Sequence, residues 1–385
     1  MKPANSVLSG LGTTVFEVMS RLAMEHGSIN LGQGFPDRDG PEDVRRAAAE
    51  ASLDGPNQYP PMMGLPSLRQ AIVDHSKRFY GFDIDWQSQV MVTSGATEAL
   101  AACLFGLLEP GDEAVLIEPL YDSYLPIVRR AGATAKLVRL EPPEWRLPRD
   151  ELAAAFSERT KLILLNSPMN PASKVFDADE LAFIASLVEE HDAYAVCDEV
   201  YEHLLFDGRR HIPLAGLPGM GMRCLRIGSA GKIFSLTGWK VGWVVAAPET
   251  LATVAKAHQY LTFTTPPNLQ AAVAQGLAKD DAYFTGLTAA MQQSRDRLAA
   301  GLARVGFDVI DSHGTYFISA DFRPLGFNGD DMEFCRHITI EGGVTAVPLS
   351  AFYDSGDVRH FARFAFCKQD EVLDEAIARL AKLFA

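Results

Sequence analysis

Residues 227–243 read IGSAGKIFSLTGWKVGW. A short, mostly apolar run, Cys224 to Ile227, predicts a buried strand. It delivers Ser229, then Ala230 and Gly231, then a single lysine, Lys232. A lysine between small residues is oddly placed for a solvated charge, because small neighbours let something bulky lie against the backbone. Thr237-Gly238-Trp239-Lys240 then forms a turn that returns a second cation towards the first. A lysine in a dry pocket has a depressed pKa and becomes an amine nucleophile. Such lysines form Schiff bases with carbonyl compounds. The plain alternative is an ordinary lysine among the 35 Lys and Arg residues, and the flanking chain decides between the two.

Outward from this stretch, apolar runs recur at 90–93, 114–118, 135–140, 161–165, 194–197, 224–227 and 241–246, most of them separated by helical or loop segments. This pattern predicts an α/β fold with a mostly parallel seven-stranded sheet covered by helices on both faces. Ligands in such folds bind at the carboxyl ends of the strands, so the residues after each run matter most. After the first run comes Thr93-Ser94-Gly95-Ala96-Thr97-Glu98. Small residues at a strand-to-helix turn present backbone N–H groups to an anion such as phosphate, although a simple helix cap at Thr97 also fits. Tyr121, after the second run, could stack on a flat ring or simply pack. Asn166-Ser167-Pro168-Met169-Asn170-Pro171 makes a rigid loop able to aim an amide, or a plain turn. Asp198 ends the fifth run, where a buried carboxylate needs a partner: a protonated ring nitrogen, or a nearby lysine or arginine. Tyr201 lies three residues on.

The ends of the chain read differently. A Gly-rich turn, Leu31-Gly32-Gln33-Gly34-Phe35-Pro36, follows a short amphipathic stretch near Phe16–Ala23. Pro41 opens a helix to residue 53, and Pro66 another to Tyr80, with the loop Asn57-Gln58-Tyr59-Pro60-Pro61 between them. Residues 248–281 read as helix interrupted at Pro266-Pro267. From about 282 a long helix, Leu287–Val305, leads into a smaller α+β portion. There Arg363 sits on an alternating strand, and a partly buried arginine needs an anion, either a carboxylate ligand or a structural partner.

The 385 residues carry a formal net charge of −14, which argues against nucleic acid or an anionic membrane as partner. Cys103, Cys197, Cys224, Cys335 and Cys367 form no CxxC pair, so neither a zinc site nor a disulfide framework is expected, and a reducing cytosol is. The N-terminus lacks the apolar core of a signal peptide, and no run approaches a membrane span. His203, His258 and His313 lack paired ligand spacing, so structural roles rather than metal binding are expected. No GxGxxG follows a strand, which counts against a dehydrogenase.

One ligand uses a Schiff-base lysine, a phosphate turn, a stacking aromatic, an acid for a ring nitrogen and an arginine for a carboxylate: pyridoxal 5′-phosphate (PLP) joined to an amino acid. The segments INLGQGFPD at 29–37, NQYPPMMG at 57–64, TSGATEAL at 93–100, EPLYDSY at 118–124, NSPMNP at 166–171, DEVYEHL at 198–204, GSAGKIFSLTGWKVGW at 228–243 and RFAFCK at 363–368 carry a family resemblance over nearly the whole chain. The chain resembles a class I/II aminotransferase of PLP fold type I, in the kynurenine/glutamine transaminase and methionine aminotransferase branch.

The resemblance implies a role for each candidate. Lys232 would form the Schiff base and shuttle the proton. Asp198 would hold the ring nitrogen protonated, Asn170 and Tyr201 would bind the ring oxygen, and Tyr121 would stack. Ala96, Thr97, Ser229 and Lys240 would hold the phosphate, with Gly95 shaping the turn and Tyr59 reaching in from a partner subunit. Arg363 would bind the substrate α-carboxylate, with Asn170 and backbone near Gly34. Phe263 and Thr264 would enter the partner's site of a homodimer. It further implies an N-terminal segment, 1–45, joining the small domain, a large PLP-binding domain, 46–281, and a small domain, 282–385.

Two departures shape the substrate expectation. Lys240 stands where many class I enzymes have arginine, which matches the kynurenine/methionine branch. Loop 259–268 has no arginine for a side-chain carboxylate, so aspartate is a poor donor. Relatives that prefer aromatic donors can have histidine at the Thr264 position. Phe16, Phe35, Tyr59, Tyr121 and Phe263 suggest an apolar, thioether (methionine) or aromatic amino acid and a 2-oxo acid, in ping-pong exchange. A carbon–sulfur β-lyase acting on cysteine conjugates would share every cofactor residue and stands as the alternative. A PLP-binding effector domain of a transcription regulator fits poorly, because the chain is acidic and begins almost directly with the catalytic domain.

Overall fold

Seven apolar runs become the strands of one sheet in a computed structural model that describes residues 1–385. They are β1 (Val90–Thr93), β2 (Glu113–Glu118), β3 (Thr134–Arg139), β4 (Thr160–Asn166), β5 (Tyr194–Asp198), β6 (Cys224–Ser229) and β7 (Gly242–Val245). Their order is β1-β7-β6-β5-β4-β2-β3. All are parallel except β7, which runs antiparallel to both β1 and β6. All but the edge strand β3 are buried at nearly every position, because helices cover both faces. Glu113 is a buried charge at the start of β2, satisfied by Arg159 at 2.6 Å and the Ser157 hydroxyl at 2.7 Å.

The topology decides where the chemistry gathers. Six parallel strands bring their carboxyl ends to one edge, so Thr93, Glu118, Asn166, Asp198 and Ser229 end there together. β7 runs the other way, so its beginning lies at that edge, and the residue two before it is Lys240. Register fixes the row: Gly242 pairs with both Thr93 and Ser229, and Asn166 pairs with Asp198.

A second, four-stranded antiparallel sheet is built from β8 (Asp308–Val309), β9 (Phe317–Asp321), β10 (Val347–Pro348) and β11 (Phe361–Ala365), in the order β10-β11-β9-β8. The N-terminal segment is tied to it. Ile29–Asn30 pairs in parallel with Val344–Thr345, the Ala365 N–H donates to the Leu31 carbonyl, and Lys368 bonds Asp37 at 2.8 Å. One core cluster runs from the large sheet (Leu116, Leu225) into this portion (Phe364, Phe366), so the two sheets share packed interior. The long helix starts at Asp281 rather than Leu287, because the Asp280 carboxylate caps it by accepting from the Tyr283 N–H. No helix is long and apolar enough to cross a membrane.

Candidate active site

Lys232 sits on one turn of helix, Ala230–Ile233, directly after β6. Its Nζ donates to the Tyr316 hydroxyl at 2.9 Å. Removal from water lowers its pKa to about 8, because a buried ammonium loses hydration that its neighbours do not replace. Asp198, buried at the end of β5, moves the opposite way: burial raises its pKa. That shift is opposed by the Tyr124 hydroxyl, which donates to Oδ2 at 2.6 Å, and by the Val200 N–H. Both side chains line one cavity of about 270 Å³.

Gly95, Ala96 and Thr97 open the helix Gly95–Leu107 after β1. Its first-turn N–H groups have no intrahelical acceptors. Gly95 has φ 77°, and a Cβ there would lie 3.2 Å from Cε and 3.3 Å from Nζ of Lys240. Lys240 itself holds a left-handed backbone, φ 53°, rare for a residue with a side chain and typical of sites where position outweighs strain. Its ammonium has no carboxylate within ion-pair distance. Ser229, on the neighbouring strand, lines the same end of the cavity.

Arg363, on β11, enters from the other side and is fully buried. Nη1 donates to Asn170 Oδ1 and Nη2 to the Gly32 carbonyl, each at 2.8 Å. Its Nε has no partner. Burial lowers its pKa to about 10, still well above neutrality. A buried guanidinium that lines a cavity and has an unpaired donor fits a carboxylate.

Gly34, Gly95, Ala96, Thr97, Tyr121, Asn170, Asp198, Tyr201, Ser229, Lys232, Lys240 and Arg363 therefore all line one cavity. Tyr59, Phe263 and Thr264 do not; Tyr59 and Phe263 meet edge to face at 5.6 Å on the exposed surface, and Thr264 bonds the Pro61 carbonyl. Phe16 lines the cavity, whereas Phe35 is exposed and packs under the Lys368 ammonium. The donor set suits PLP: an amine for an aldehyde, an acid for a ring nitrogen, and N–H groups with an unpaired ammonium for a phosphate.

Sequence reasoning passed over Tyr124, Tyr316, Gln33 and Phe317 as participants. Tyr124 could have been weighed from its place beside Tyr121 at the end of β2; Tyr316 carried no local signal. His203 also has a partner that spacing hid: its Nε2 lies 2.7 Å from Nε2 of His75. With Glu202 they bring three potential ligand atoms within 4.8 Å of one another. His258 is bonded at both ring nitrogens, to Glu98 and to the Met62 carbonyl.

The aminotransferase class I and II family profile matches residues 27–380. The probable N-succinyldiaminopimelate aminotransferase of Mycobacterium tuberculosis is 48% identical over 98% of each chain. A solved structure of N-succinyldiaminopimelate aminotransferase from that organism superposes with a TM-score of 0.96 over all of both chains, at 48% identity. Methionine aminotransferase of Escherichia coli is 39% identical over 98% of each chain. Kynurenine–oxoglutarate transaminase of Dictyostelium discoideum is 37% identical over 99% of this chain and 96% of its own. All three relatives are aminotransferases, so the β-lyase alternative is not favoured. The chain belongs to the class I and II aminotransferase family and is a PLP-dependent aminotransferase of fold type I.

Proposed function

We propose that this aminotransferase takes the amino group from an apolar, thioether or aromatic L-amino acid, in two half-reactions with a 2-oxo acid. The carrying observation is the cavity's cation inventory. Its only cations are Lys232, Lys240 and Arg363, and each has a use. Lys232 serves the chemistry, Lys240 the phosphate and Arg363 the α-carboxylate, which leaves none in this chain for a charged side chain. Phe16, Leu100 and Phe317 supply apolar wall.

In this reading the cofactor, when bound, supplies an aldehyde for the amino group and a ring that draws electrons from the substrate Cα. Asp198 keeps a proton on the ring nitrogen, Asn170 and Tyr201 bind the ring oxygen, and Tyr121 lies against the ring. Ala96, Thr97, Ser229 and Lys240 hold the phosphate, with Gly95 clearing space. Lys232, neutral above its lowered pKa, takes the proton from the substrate Cα. Arg363, with Asn170 and backbone near Gly34, fixes the substrate carboxylate.

The same proposal includes a cytoplasmic homodimer in which Tyr59, Phe263 and Thr264 complete the partner's site. Exposed Tyr59, Tyr260, Leu261 and Phe263 support it as a surface needing cover. Five free, buried cysteines fit a reducing compartment. A large domain, 46–281, and a small one, 282–385 joined by 1–45, fit the two sheets and the ties of the N-terminal segment to the smaller.

A second donor, N-succinyldiaminopimelate, is favoured by the 48% identity to the mycobacterial enzyme. The test is a comparison of methionine, kynurenine and N-succinyldiaminopimelate with 2-oxoglutarate, reading the 2-oxo acid product by mass spectrometry. Methionine or kynurenine ahead by tenfold or more in kcat/KM supports the proposal. N-succinyldiaminopimelate ahead establishes the second reading, and no transfer from any of the three overturns the donor class.

A further inference from the structure

We propose that Tyr316 is a positioning residue for Lys232: its phenol, anchored on the carbonyl of Gly34, holds the lysine amine whenever that amine is released, and aims its lone pair into the cavity. This rests on the reading of Lys232 as the lysine that carries the cofactor and moves the proton.

The argument begins with donors and acceptors. The Tyr316 hydroxyl has one hydrogen, and it donates that hydrogen to the Gly34 carbonyl at 2.6 Å. The same oxygen lies 2.9 Å from Lys232 Nζ. With its hydrogen committed, the phenol can only accept, so the lysine must donate. A neutral amine that donates one N–H keeps its lone pair free. The contact therefore orients the base without quenching it. The reverse arrangement, phenol donating to amine, would occupy the lone pair that proton transfer needs.

The anchor is rigid. Tyr316 is 1% exposed and crosses the Tyr201 ring edge to face at 5.1 Å and the Phe317 ring at 4.8 Å. It does not line the cavity, so it acts from behind the wall, through the lysine. Burial among these rings raises its pKa well above that of free tyrosine, so it stays a phenol wherever Lys232 titrates. Gly34 must be glycine for this approach: a Cβ would lie 2.4 Å from Phe317 Cζ and 3.1 Å from Tyr316 Cε2. The chain of contacts joins three places far apart in sequence. These are the N-terminal segment, the strand that opens at Phe317 and the turn after β6. Seating of residues 29–37 is thereby linked to the setting of the catalytic amine.

The test uses Tyr316→Phe, which keeps the ring and removes the oxygen. In apoprotein, Lys232 is labelled with trinitrobenzenesulfonate across pH, and the labelled peptide is quantified by mass spectrometry. A hydrogen bond to the charged form exceeds one to the neutral form, so the labelling midpoint should fall by about half to one pH unit in the variant. In holoenzyme, kcat should fall roughly tenfold with the amino-acid KM within about twofold, because orientation and not binding is lost. An unmoved midpoint with unchanged kcat overturns the proposal and leaves the lysine assignment standing. Borohydride reduction of wild-type holoenzyme, followed by peptide mapping, checks that assignment separately. Cofactor mass on Lys232 upholds it, and cofactor mass elsewhere overturns both.

Discussion

Arg363 Nη1 donates to Asn170 Oδ1 at 2.8 Å in the cavity wall, joining the small sheet to the loop after β4. The bond fixes the guanidinium plane, and the unpaired Nε shows that the fork is not yet satisfied. A lysine keeps the charge but loses the fork. Arg363→Lys should cost about 1.5–3 kcal/mol of transition-state binding, roughly 10- to 150-fold in kcat/KM for amino and oxo acid alike. Steady-state kinetics with each substrate varied in turn checks this. An unchanged kcat/KM would remove Arg363 from carboxylate binding.

Tyr124 holds Asp198 in its ionised form against the cost of burial. Removing the hydroxyl lets burial push the Asp198 pKa higher, so less of the carboxylate is charged at a given pH. Tyr124→Phe should lose roughly tenfold in kcat, the value of one hydrogen bond to a charged group. Asp198→Asn removes the charge itself, and its loss should reach about 10²- to 10⁴-fold. The sign with pH follows from the raised value: activity dependent on the Asp198 anion falls as pH drops through the folded pKa. That acid limb should move up in Tyr124→Phe, and a pH profile of kcat reads it. A limb that stays put would mean that Tyr124 only packs.

Much of the site was legible because charge is conspicuous where everything else is apolar. Asp198 and Lys232 each follow a run of buried residues, and nothing but a ligand or a partner explains them there. The strands were legible for the same reason, since burial on both faces leaves an unbroken apolar string. Tyr316 was not legible, because a phenol in a hydrophobic context reads as core until its hydroxyl is seen to have a partner; Tyr124 had only its place beside Tyr121 to mark it. His75 and His203 lie 128 residues apart, and only the fold brings them into contact. Lys240 was legible from its turn back towards Lys232, and topology supplies the reason. It precedes its strand instead of following it, and joins the others only because β7 runs antiparallel.

Gly95→Ala tests the proposed phosphate end by way of the Lys240 side chain, without removing any charged group. At φ 77° an alanine is strained, and its Cβ would crowd the Lys240 side chain at 3.2–3.3 Å. The left-handed conformation alone costs about 1–2 kcal/mol for a residue with a Cβ. Gly95→Ala should raise the PLP dissociation constant roughly 10-fold, with Lys240 displaced from its place. The enzyme should recover most of its kcat at saturating PLP, because Lys232 and Asp198 are unmoved. Fluorescence titration of the apoprotein measures the constant. Unaltered affinity would place the phosphate elsewhere.

The His75–His203 pair makes stability depend on pH. Burial lowers both pKa values to about 3. Arg226 and Arg78 oppose a charge on His75, while Glu202 favours one on His203 against His75, His211 and Arg78. In the unfolded chain both return to about 6.5. Between these values the unfolded state binds protons that the folded state refuses. The stability from keeping both rings neutral is therefore present above about pH 6.5 and is lost as pH falls towards 3. Melting temperature of the wild-type protein should drop between pH 6.5 and 5, before most carboxylates titrate. The double variant His75→Gln/His203→Gln lacks these two groups, and its melting temperature should fall less steeply over the same interval, whatever its absolute value; burial also lowers the pKa of His313 and His360, which keep a smaller slope in both proteins. Parallel slopes in the two proteins would assign the acid sensitivity to other groups.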